Sequence, residues 1–304
     1  MYLDIFSKFQ EKLKATSPLT AEPTFSFLTP SSQNCFSKKT HKQIGVCTRQ
    51  TWFDKNNFTK TNIIETNNTH VEMSKFAGEL WENWAVDLFK QSGFYVSKQV
   101  LSTYPKHFVK GFADVLIENP LDKQLQLVEI KTYDGSNYFN NTIYGTSEVK
   151  PTPKISHLLQ AFRYLLIHKN KVAAVNLIYI DRACSAWFKN KQFYITLFEH
   201  EGDLYPKIEV MWGDSLTTYI NQDISEQALL ASEEYLILAL KNKKEPPAAD
   251  YVSSYTAEEI EDRFQRGLIY KTSYNKYKAN NSYVIGDFEC NYCPYNKGTC
   301  QLYD

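Results

Sequence analysis

Two carboxylates and a lysine interrupt a pair of apolar stretches in the middle of the sequence. Asp114 lies in the first stretch and Glu129 and Lys131 lie in the second, where strands that face a core normally carry Val or Ile. The intervening segment NPLDKQ, residues 119–124, is typical of a turn and predicts a β-hairpin. Buried charges need compensation, so this hairpin is the first candidate for a chemical site.

The register of the predicted hairpin brings the two carboxylates together. A turn centred between Leu121 and Asp122 places Asp114 opposite Glu129, with Cβ atoms roughly 4.5–5.5 Å apart. Two carboxylates at that distance repel unless a proton or a cation lies between them, and Mg²⁺ or Mn²⁺ prefers such oxygen ligands. Lys131 shares the face of Glu129 and can orient a water or neutralise a phosphate. A surface hairpin with salt bridges is the alternative interpretation.

Length and composition are those of an ordinary folded protein. The chain has 304 residues, of which 43% are hydrophobic, which suffices for one large domain or two modest ones. Lys plus Arg and Asp plus Glu number 34 each, so any nucleic-acid surface must be local. No apolar run approaches the roughly 20 residues that span a bilayer, and the first residues lack the apolar centre of a secretion signal. We therefore expect a cytoplasmic protein without a membrane partner.

Hydrophobic periodicity predicts helices and strands on both sides of the hairpin. Phe76, Leu80, Trp84 and Leu88 recur at helical spacing, and Gly93 ends that run. Further elements are predicted as helices at 155–169, 225–243 and 256–270 and as strands at 94–101, 171–181, 193–199 and 207–212. This order of elements predicts an α/β fold with a central mixed β-sheet flanked by helices.

The hairpin pattern resembles the core motif of PD-(D/E)XK nucleases. Gly111 and Asp114 in GFAD are followed, after fourteen intervening residues, by Glu129, Ile130 and Lys131. In that family the Asp and the Glu bind the catalytic metal and the Lys assists the attacking water. The resemblance implies that Asp114, Glu129 and the Ile130 backbone carbonyl hold Mg²⁺ or Mn²⁺, and that Lys131 is catalytic.

Two further motifs resemble the RecB-type branch of that family. Gln160 and Tyr164 in QAFRY match its Gln-x-x-x-Tyr motif and share one helix face, which implies that they position the DNA strand. A surface Gln and a half-buried Tyr are the alternative. The branch also carries Gly, His and Glu on the preceding helix; here Gly78 and Glu82 match, whereas Trp81 takes the place of the His. Glu82 is therefore expected at the catalytic metal, and one or two metals remain possible.

Three clustered cysteines predict a second metal site. Cys290, Cys293 and Cys300 in CNYCPYNKGTC have the spacing of thiolate ligands, which favour Zn²⁺ or an iron–sulfur cluster. The candidates for a fourth ligand are Cys35, Cys47 and Cys184.

The cysteine layout resembles the iron–sulfur staple of AddB and of CRISPR-associated RecB-like nucleases. Their upstream cysteine commonly stands in a Cys-x-Arg context before an aromatic residue, as Cys47 does in VCTRQTWF. The resemblance implies a [4Fe-4S] cluster, with Zn²⁺ as the alternative, on Cys47, Cys290, Cys293 and Cys300. Such a site would join the N- and C-terminal segments.

Two groups of basic side chains could each form a local DNA-binding surface. The alternative is an ordinary solvent-exposed charged face, which has the same sequence pattern. The first group comprises Lys38, Lys39, Lys42, Arg49, Lys55 and Lys60, and the second comprises Lys271, Lys276 and Lys278.

The motifs together favour a RecB-type PD-(D/E)XK nuclease with an iron–sulfur staple. We expect an irregular arm with Cys47 over 1–66, the nuclease core over 67–215 and a helical, Cys-rich region over 216–304. The resemblance implies an exonuclease that hydrolyses phosphodiester bonds at DNA ends or in single strands, and the compact, helicase-free chain favours an origin in a phage or another mobile element. A structure-selective endonuclease and a non-catalytic DNA-binding or assembly subunit are the alternatives.

Overall fold

The structure of the protein, a computed structural model, describes most of the chain. The described residues are 27–39, 43–60, 68–133, 143–182, 191–241, 243, 245–246, 254–265, 269, 271–280, 283–286, 290, 293–295 and 300. The side chains of residues 68–72 and 74 lie outside this description, and so does Cys184.

Nine strands occur in the described residues, and seven of them form one mixed sheet. The strands are β1 (Asn34–Phe36), β2 (Gln43–Gly45), β3 (Tyr95–Tyr104), β4 (Val109–Glu118), β5 (Leu125–Tyr133), β6 (Ala174–Asp181), β7 (Lys191–His200), β8 (Asp203–Trp212) and β9 (Ser215–Ile220). Strands β3 to β9 lie side by side in chain order, and β1 and β2 form a separate antiparallel pair. All neighbours in the large sheet are antiparallel except β5 and β6, which are parallel.

Helices cover both faces of the large sheet. The helices are α1 (Thr48–Lys55), α2 (Asn68–Gln91), α3 (Ile155–His168), α4 (Glu226–Lys241), α5 (Ala257–Gln265) and α6 (Lys271–Ala279). Helix α3 is the crossover that parallel β5 and β6 require, and its Leu159 and Phe162 pack on one face of the sheet. Helix α2 packs on the other face through Ala85 and Val86. The expected α/β class with a mixed, helix-flanked sheet is therefore confirmed.

The hairpin has the predicted register. Val115 pairs with Val128 and Leu116 pairs with Leu127, which is the pairing of a turn centred between Leu121 and Asp122. The prediction holds because the hairpin is local: the turn residues and the apolar pattern on both sides specify the same alignment.

Helix α2 packs with a different face from the apolar stripe that predicts it. Phe76, Leu80, Trp84 and Leu88 are 37%, 53%, 46% and 41% exposed. The face on the sheet instead carries buried Ala85 and Val86, with Trp81 and Phe89 beside them. Such a stripe normally faces the core. The helix and its end before Gly93 are confirmed, whereas the side chains of the predicted apolar stripe point outward.

The N-terminal segment is more regular than the sequence indicates. The expected irregular arm over 1–66 contains β1, β2 and α1 among its described residues. These elements are short and gain stability from tertiary contacts: Trp52 and Phe53 of α1 pack with Leu236 of α4. Strand β9 and helix α6 were also not predicted, and β9 continues the sheet past residue 215, where we expected the core to end.

Among the described helices, none combines the length and apolar character needed to cross a membrane.

Candidate active site

Asp114 and Glu129 lie at the point where β4 and β5 stop pairing through their backbones. The last backbone pair is Val115 with Val128, and the next position carries the two carboxylates. There the Ile130 N–H donates a hydrogen bond of 2.7 Å to Oδ2 of Asp114. The Asp side chain thus replaces a backbone acceptor, which holds its carboxylate between the two strands.

Burial shapes the electrostatics of this pair. Burial, and then the Glu129 carboxylate, raises the pKa of Asp114 to about 8. Burial also raises the pKa of Glu129, against the opposing effect of Lys131. Within the described residues, Oε2 of Glu129 is buried without a hydrogen-bond partner. A bound proton or cation would relieve both the repulsion and the missing interaction.

Lys131 lies against the pair, as the sequence predicts from its position on the strand. Its Nζ atom is 2.6 Å from Oε1 of Glu129, and its side chain is 21% exposed. The partly exposed ammonium therefore offsets part of the buried negative charge of Glu129.

Gln160 and Tyr164 of α3 reach the same site. Nε2 of Gln160 donates a hydrogen bond of 2.7 Å to Oε1 of Glu129 and lies 3.4 Å from the Tyr164 hydroxyl. That hydroxyl donates a bond of 2.6 Å to the Phe112 carbonyl of β4. Both side chains are buried, so the alternative of a surface Gln does not describe them.

Gly111 lies where other chain segments approach β4 closely. A Cβ atom at this position would be 2.6 Å from Cδ of Pro30 and 3.5 Å from the Tyr164 hydroxyl. The N-terminal segment reaches this place because Leu28 pairs with Val109 at the start of β4. Only glycine fits without displacing Pro30, which explains the Gly in GFAD.

His157 is a residue of this site that the sequence motifs missed. It lies one turn before Gln160 on the same face of α3, and its Nδ1 atom is 2.9 Å from the hydroxyl of Tyr179 in β6. The Lys154 backbone N–H donates to the same hydroxyl at 3.1 Å. Burial, followed by Lys131 and Lys154, lowers the pKa of His157 to about 3. The imidazole is therefore neutral, and spacing from Gln160 was the signal that could have found it.

A buried ionic network fixes α3 from its other side. The Nε atom of Arg163 is 2.8 Å from Oε1 of Glu233 in α4, and Nδ1 of His107 is 2.9 Å from Oε2 of the same carboxylate. Burial raises the pKa of Glu233 to about 7 despite the opposing effect of Arg163. Burial lowers the pKa of His107, so the charged pair is Arg163 with Glu233. Removing either of these two would leave an uncompensated buried charge, so the pair ties α3 to α4.

Glu82 lies near the carboxylate pair, but its own carboxylate interacts with residues outside that pair. Its Oε1 atom is 3.2 Å from Nζ of Lys98 and 3.2 Å from Nε2 of Gln99. Its charge is among the lesser causes, after burial, that raise the pKa of both Asp114 and Glu129. Trp81, in the place of the expected His, packs edge-on against Trp84 with ring centroids 5.3 Å apart.

Side chains suited to metal binding do not gather in larger groups in the described part of the chain. No three or more His, Cys, Asp or Glu residues there are arranged to hold a metal ion. The structure therefore brings Asp114 and Glu129 together, with the Ile130 backbone beside them, but leaves Glu82 outside that group.

The N-terminal and C-terminal cysteines lie near each other. Burial raises the pKa of Cys47, and the Cys300 thiol adds to the increase. Cys293 and Cys300 pack in the same apolar cluster as Trp52 and Phe53 of α1. A backbone hydrogen bond of 3.1 Å from Cys293 to the Cys290 carbonyl forms a tight turn.

Cys35 occupies a different place. It is fully buried in the main core under α3, and burial, followed by Asp223, raises its pKa to about 12. A thiol in this setting packs as an apolar side chain.

Most of the first basic group is bound within the fold. Lys38 is 2.5 Å from Asp203, Lys60 is 3.6 Å from Asp54, and Arg49 forms an ion pair with Glu245. The Lys55 ammonium donates to the Phe27 carbonyl at 2.6 Å. Lys42 lies outside the described residues, and Lys39 is exposed. Four of the six side chains therefore have partners within the fold, and their contact with a phosphate backbone stays a prediction.

In the second basic group, the Lys278 ammonium lies 3.3 Å from the Glu261 carboxylate.

Comparisons with known proteins do not establish a family for this chain. No known family matches the sequence, and no curated protein does. Among solved structures, the crystal structure of SSO0001 is similar over 78% of this chain and 86% of that chain, with 14% sequence identity and a TM-score of 0.37. A likeness this distant carries no functional argument.

Proposed function

We propose that this protein is a metal-dependent DNA nuclease of the PD-(D/E)XK type, acting as an exonuclease at DNA ends or in single strands. The observation that carries the proposal is the pair of half-buried Asp114 and buried Glu129, with Lys131 in contact with Glu129. A salt-bridged surface hairpin would expose these groups, whereas Glu129 is only 2% exposed.

The residues at the pair fit a hard divalent cation. Oε2 of Glu129 has no hydrogen-bond partner among the described residues, and Asp114 has a raised pKa in a setting that disfavours two negative charges. Mg²⁺ or Mn²⁺ would be held by Asp114, Glu129 and the Ile130 carbonyl, with Glu82 at the edge of the site. When bound, such an ion stabilises charge on a phosphodiester and on the oxygens that attack and leave.

The protein's own side chains supply the remaining functions. Lys131 can orient the attacking water or neutralise charge that develops on the phosphate, since its ammonium lies at the entrance to the pair. Gln160 fixes one oxygen of Glu129, and Tyr164 fixes β4 through the Phe112 carbonyl. Because both are buried, we infer that they affect DNA through the strands that carry the carboxylates.

The thiols support a structural metal site in the same proposal. We propose a [4Fe-4S] cluster that joins the two ends, with Zn²⁺ as the alternative, on the basis of the proximity of Cys47 to Cys300 and the turn at Cys290 and Cys293. No three metal-binding side chains are already grouped among the described residues, so binding would draw the four thiols together. Cys35 is a poor fourth ligand because it lies in a separate core. Reduced thiolates and a DNA substrate are both expected in the cytoplasm.

A cleavage assay tests the proposed activity. Labelled linear and covalently closed circular DNA are incubated with the protein and Mg²⁺ or Mn²⁺, with Asp114→Asn as the inactive control. Loss of linear DNA alone indicates an exonuclease, and nicking of circles indicates a structure-selective endonuclease. DNA binding without cleavage under either metal would contradict the proposal and favour a non-catalytic subunit.

A further inference from the structure

We infer that the outer face of α2 is the surface through which two copies of this chain associate. Five large apolar side chains lie exposed along it and form what we term the α2 stripe. Its members are Met73 (41% exposed), Phe76 (37%), Leu80 (53%), Trp84 (46%) and Leu88 (41%). Scattered exposed apolar residues are common, but five in one helical row are a contiguous patch.

The size of the stripe fits the centre of an interface. An aromatic side chain can bury about 150–250 Å², so five side chains at these exposures present on the order of 400 Å² of apolar surface. A standard interface takes about 800 Å² from each partner, with an apolar core and a polar rim. The stripe would supply about half of that area, and the polar residues around it would supply the rim.

The spacing of the stripe favours a second copy of the chain as its partner. Leu80 is central: Phe76 and Trp84 lie four residues to either side, and Met73 and Leu88 lie seven and eight residues away. An antiparallel pair of α2 helices related by a twofold axis at Leu80 would therefore place Leu80 against its counterpart. Phe76 would meet Trp84, and Met73 would meet Leu88. A twofold interface requires this kind of self-complementary surface.

The charges around the stripe select the antiparallel arrangement. Glu79 and Asp87 are exposed on α2 next to the stripe. In a parallel pair each would face its own counterpart, and like charges would repel. In the antiparallel pair Asp87 comes level with Met73, and Glu79 comes level with Trp81. The Asp87 carboxylate is also 3.1 Å from Lys90 of its own helix, which offsets its charge at the rim.

Association through the stripe is independent of the proposed catalysis. The stripe points away from the sheet, whereas Glu129 is contacted by Gln160 of α3 on the opposite face. Two copies could therefore pair without covering the carboxylates.

The mass of the full chain in solution, measured by light scattering and sedimentation over a range of concentrations, tests this inference. We expect a particle of twice the 35.3 kDa chain mass. Leu80→Glu and Leu80→Lys should each give monomers and weaken association at least about 100-fold, as loss of a central interface residue does. Mixing the two variants should restore a dimer, because opposite charges then meet at the axis.

Leu121→Glu is the matched control, since Leu121 is 92% exposed in the hairpin turn, away from the stripe. The Leu121→Glu protein should remain dimeric. Circular dichroism checks that every variant is folded. A wild-type chain that stays monomeric would overturn the inference and leave the stripe to a different protein. Dimeric Leu80→Glu, or a mixture that stays monomeric, would overturn the pairing about Leu80.

Discussion

The side-chain amide of Gln160 donates a hydrogen bond of 2.7 Å to Oε1 of Glu129, the same oxygen that the Lys131 ammonium approaches at 2.6 Å. Oε2 of that carboxylate has no hydrogen-bond partner among the described residues. One oxygen is thus fixed by two donors and the other remains available. In the proposed metal site this asymmetry would leave the free oxygen available to a cation, as supporting residues do for ligands in metal sites generally.

Replacing Gln160 with Ala should therefore weaken the metal site without unfolding it. We expect Mn²⁺ affinity and cleavage to fall about 10–100-fold, the usual effect of losing a residue that orients a ligand. Calorimetric Mn²⁺ titration and single-turnover cleavage measure the two quantities. Gln192→Ala, an exposed amide on β7, is the control. Unchanged Mn²⁺ affinity in Gln160→Ala would remove Gln160 from the site.

Replacement of the central residues tests catalysis directly. Asp114→Ala and Glu129→Ala should abolish cleavage, and Lys131→Ala should lower its rate by about 10²-fold or more while sparing DNA binding. Asp122→Ala and Lys123→Ala change the same residue types in the exposed turn of the hairpin and should retain activity. Wild-type cleavage rates in any of the three site variants would refute the assignment.

Cysteine substitutions separate the proposed ligands from packing thiols. Protein purified without oxygen should be brown, with broad absorbance near 400 nm, the feature we expect of a [4Fe-4S] cluster. Cys47→Ser should lose the colour and unfold more readily because metal binding contributes folding free energy. Cys35→Ala should remain brown. Absorbance spectra and metal analysis record the outcome.

Two results would change that assignment. A colourless wild-type protein with one stoichiometric Zn²⁺ would replace the cluster by a zinc site. Colour that is lost in Cys35→Ala but kept in Cys47→Ser would contradict Cys47 as the fourth ligand.

The neutral state of His157 predicts a loss of stability in acid. Its pKa is lowered from 6.5 to about 3 in the fold, so between these values the unfolded chain binds a proton that the folded chain does not. The stabilisation is present above pH 6.5 and is lost as the pH falls toward 3. Near pH 5.5 the loss amounts to about 1.4 kcal/mol.

The variant His157→Asn tests this pH dependence, since the Asn oxygen can still accept a hydrogen bond from Tyr179 but does not titrate. Urea unfolding between pH 7 and 5 should show a shallower decline for His157→Asn than for the wild type. His200→Asn, at an exposed position on β7, serves as the control and should keep the wild-type slope. Identical slopes for the wild type and His157→Asn would contradict a neutral, buried imidazole.

Sequence patterns that span only a few residues were sufficient to predict several parts of this structure. The turn between Leu121 and Asp122 set the register of β4 and β5, because a hairpin pairs residues that are close in sequence. Helical periodicity located α2 and α3 for the same reason. At the start of α5, the capping-box spacing of Thr256 and Glu259 forms a capping box: the Thr256 N–H donates to Glu259 at 2.8 Å, and the Glu259 N–H donates to the Thr256 hydroxyl at 3.3 Å. Each feature depends on interactions within a few residues.

Contacts between distant segments decided the rest. Periodicity shows that α2 has an apolar stripe. Which face of α2 packs on the sheet depends on the shape of the sheet, and the face that packs is the one with Ala85 and Val86. Lys38 looks like a free cation in the sequence, yet Asp203 lies 2.5 Å away because β1 packs against α4, which also packs against β8. His157 belongs to the candidate site only because β6 brings Tyr179 beneath α3. Such partners are far apart in the chain, so a pattern over a few residues cannot predict them. They come together only through the close packing of the folded chain.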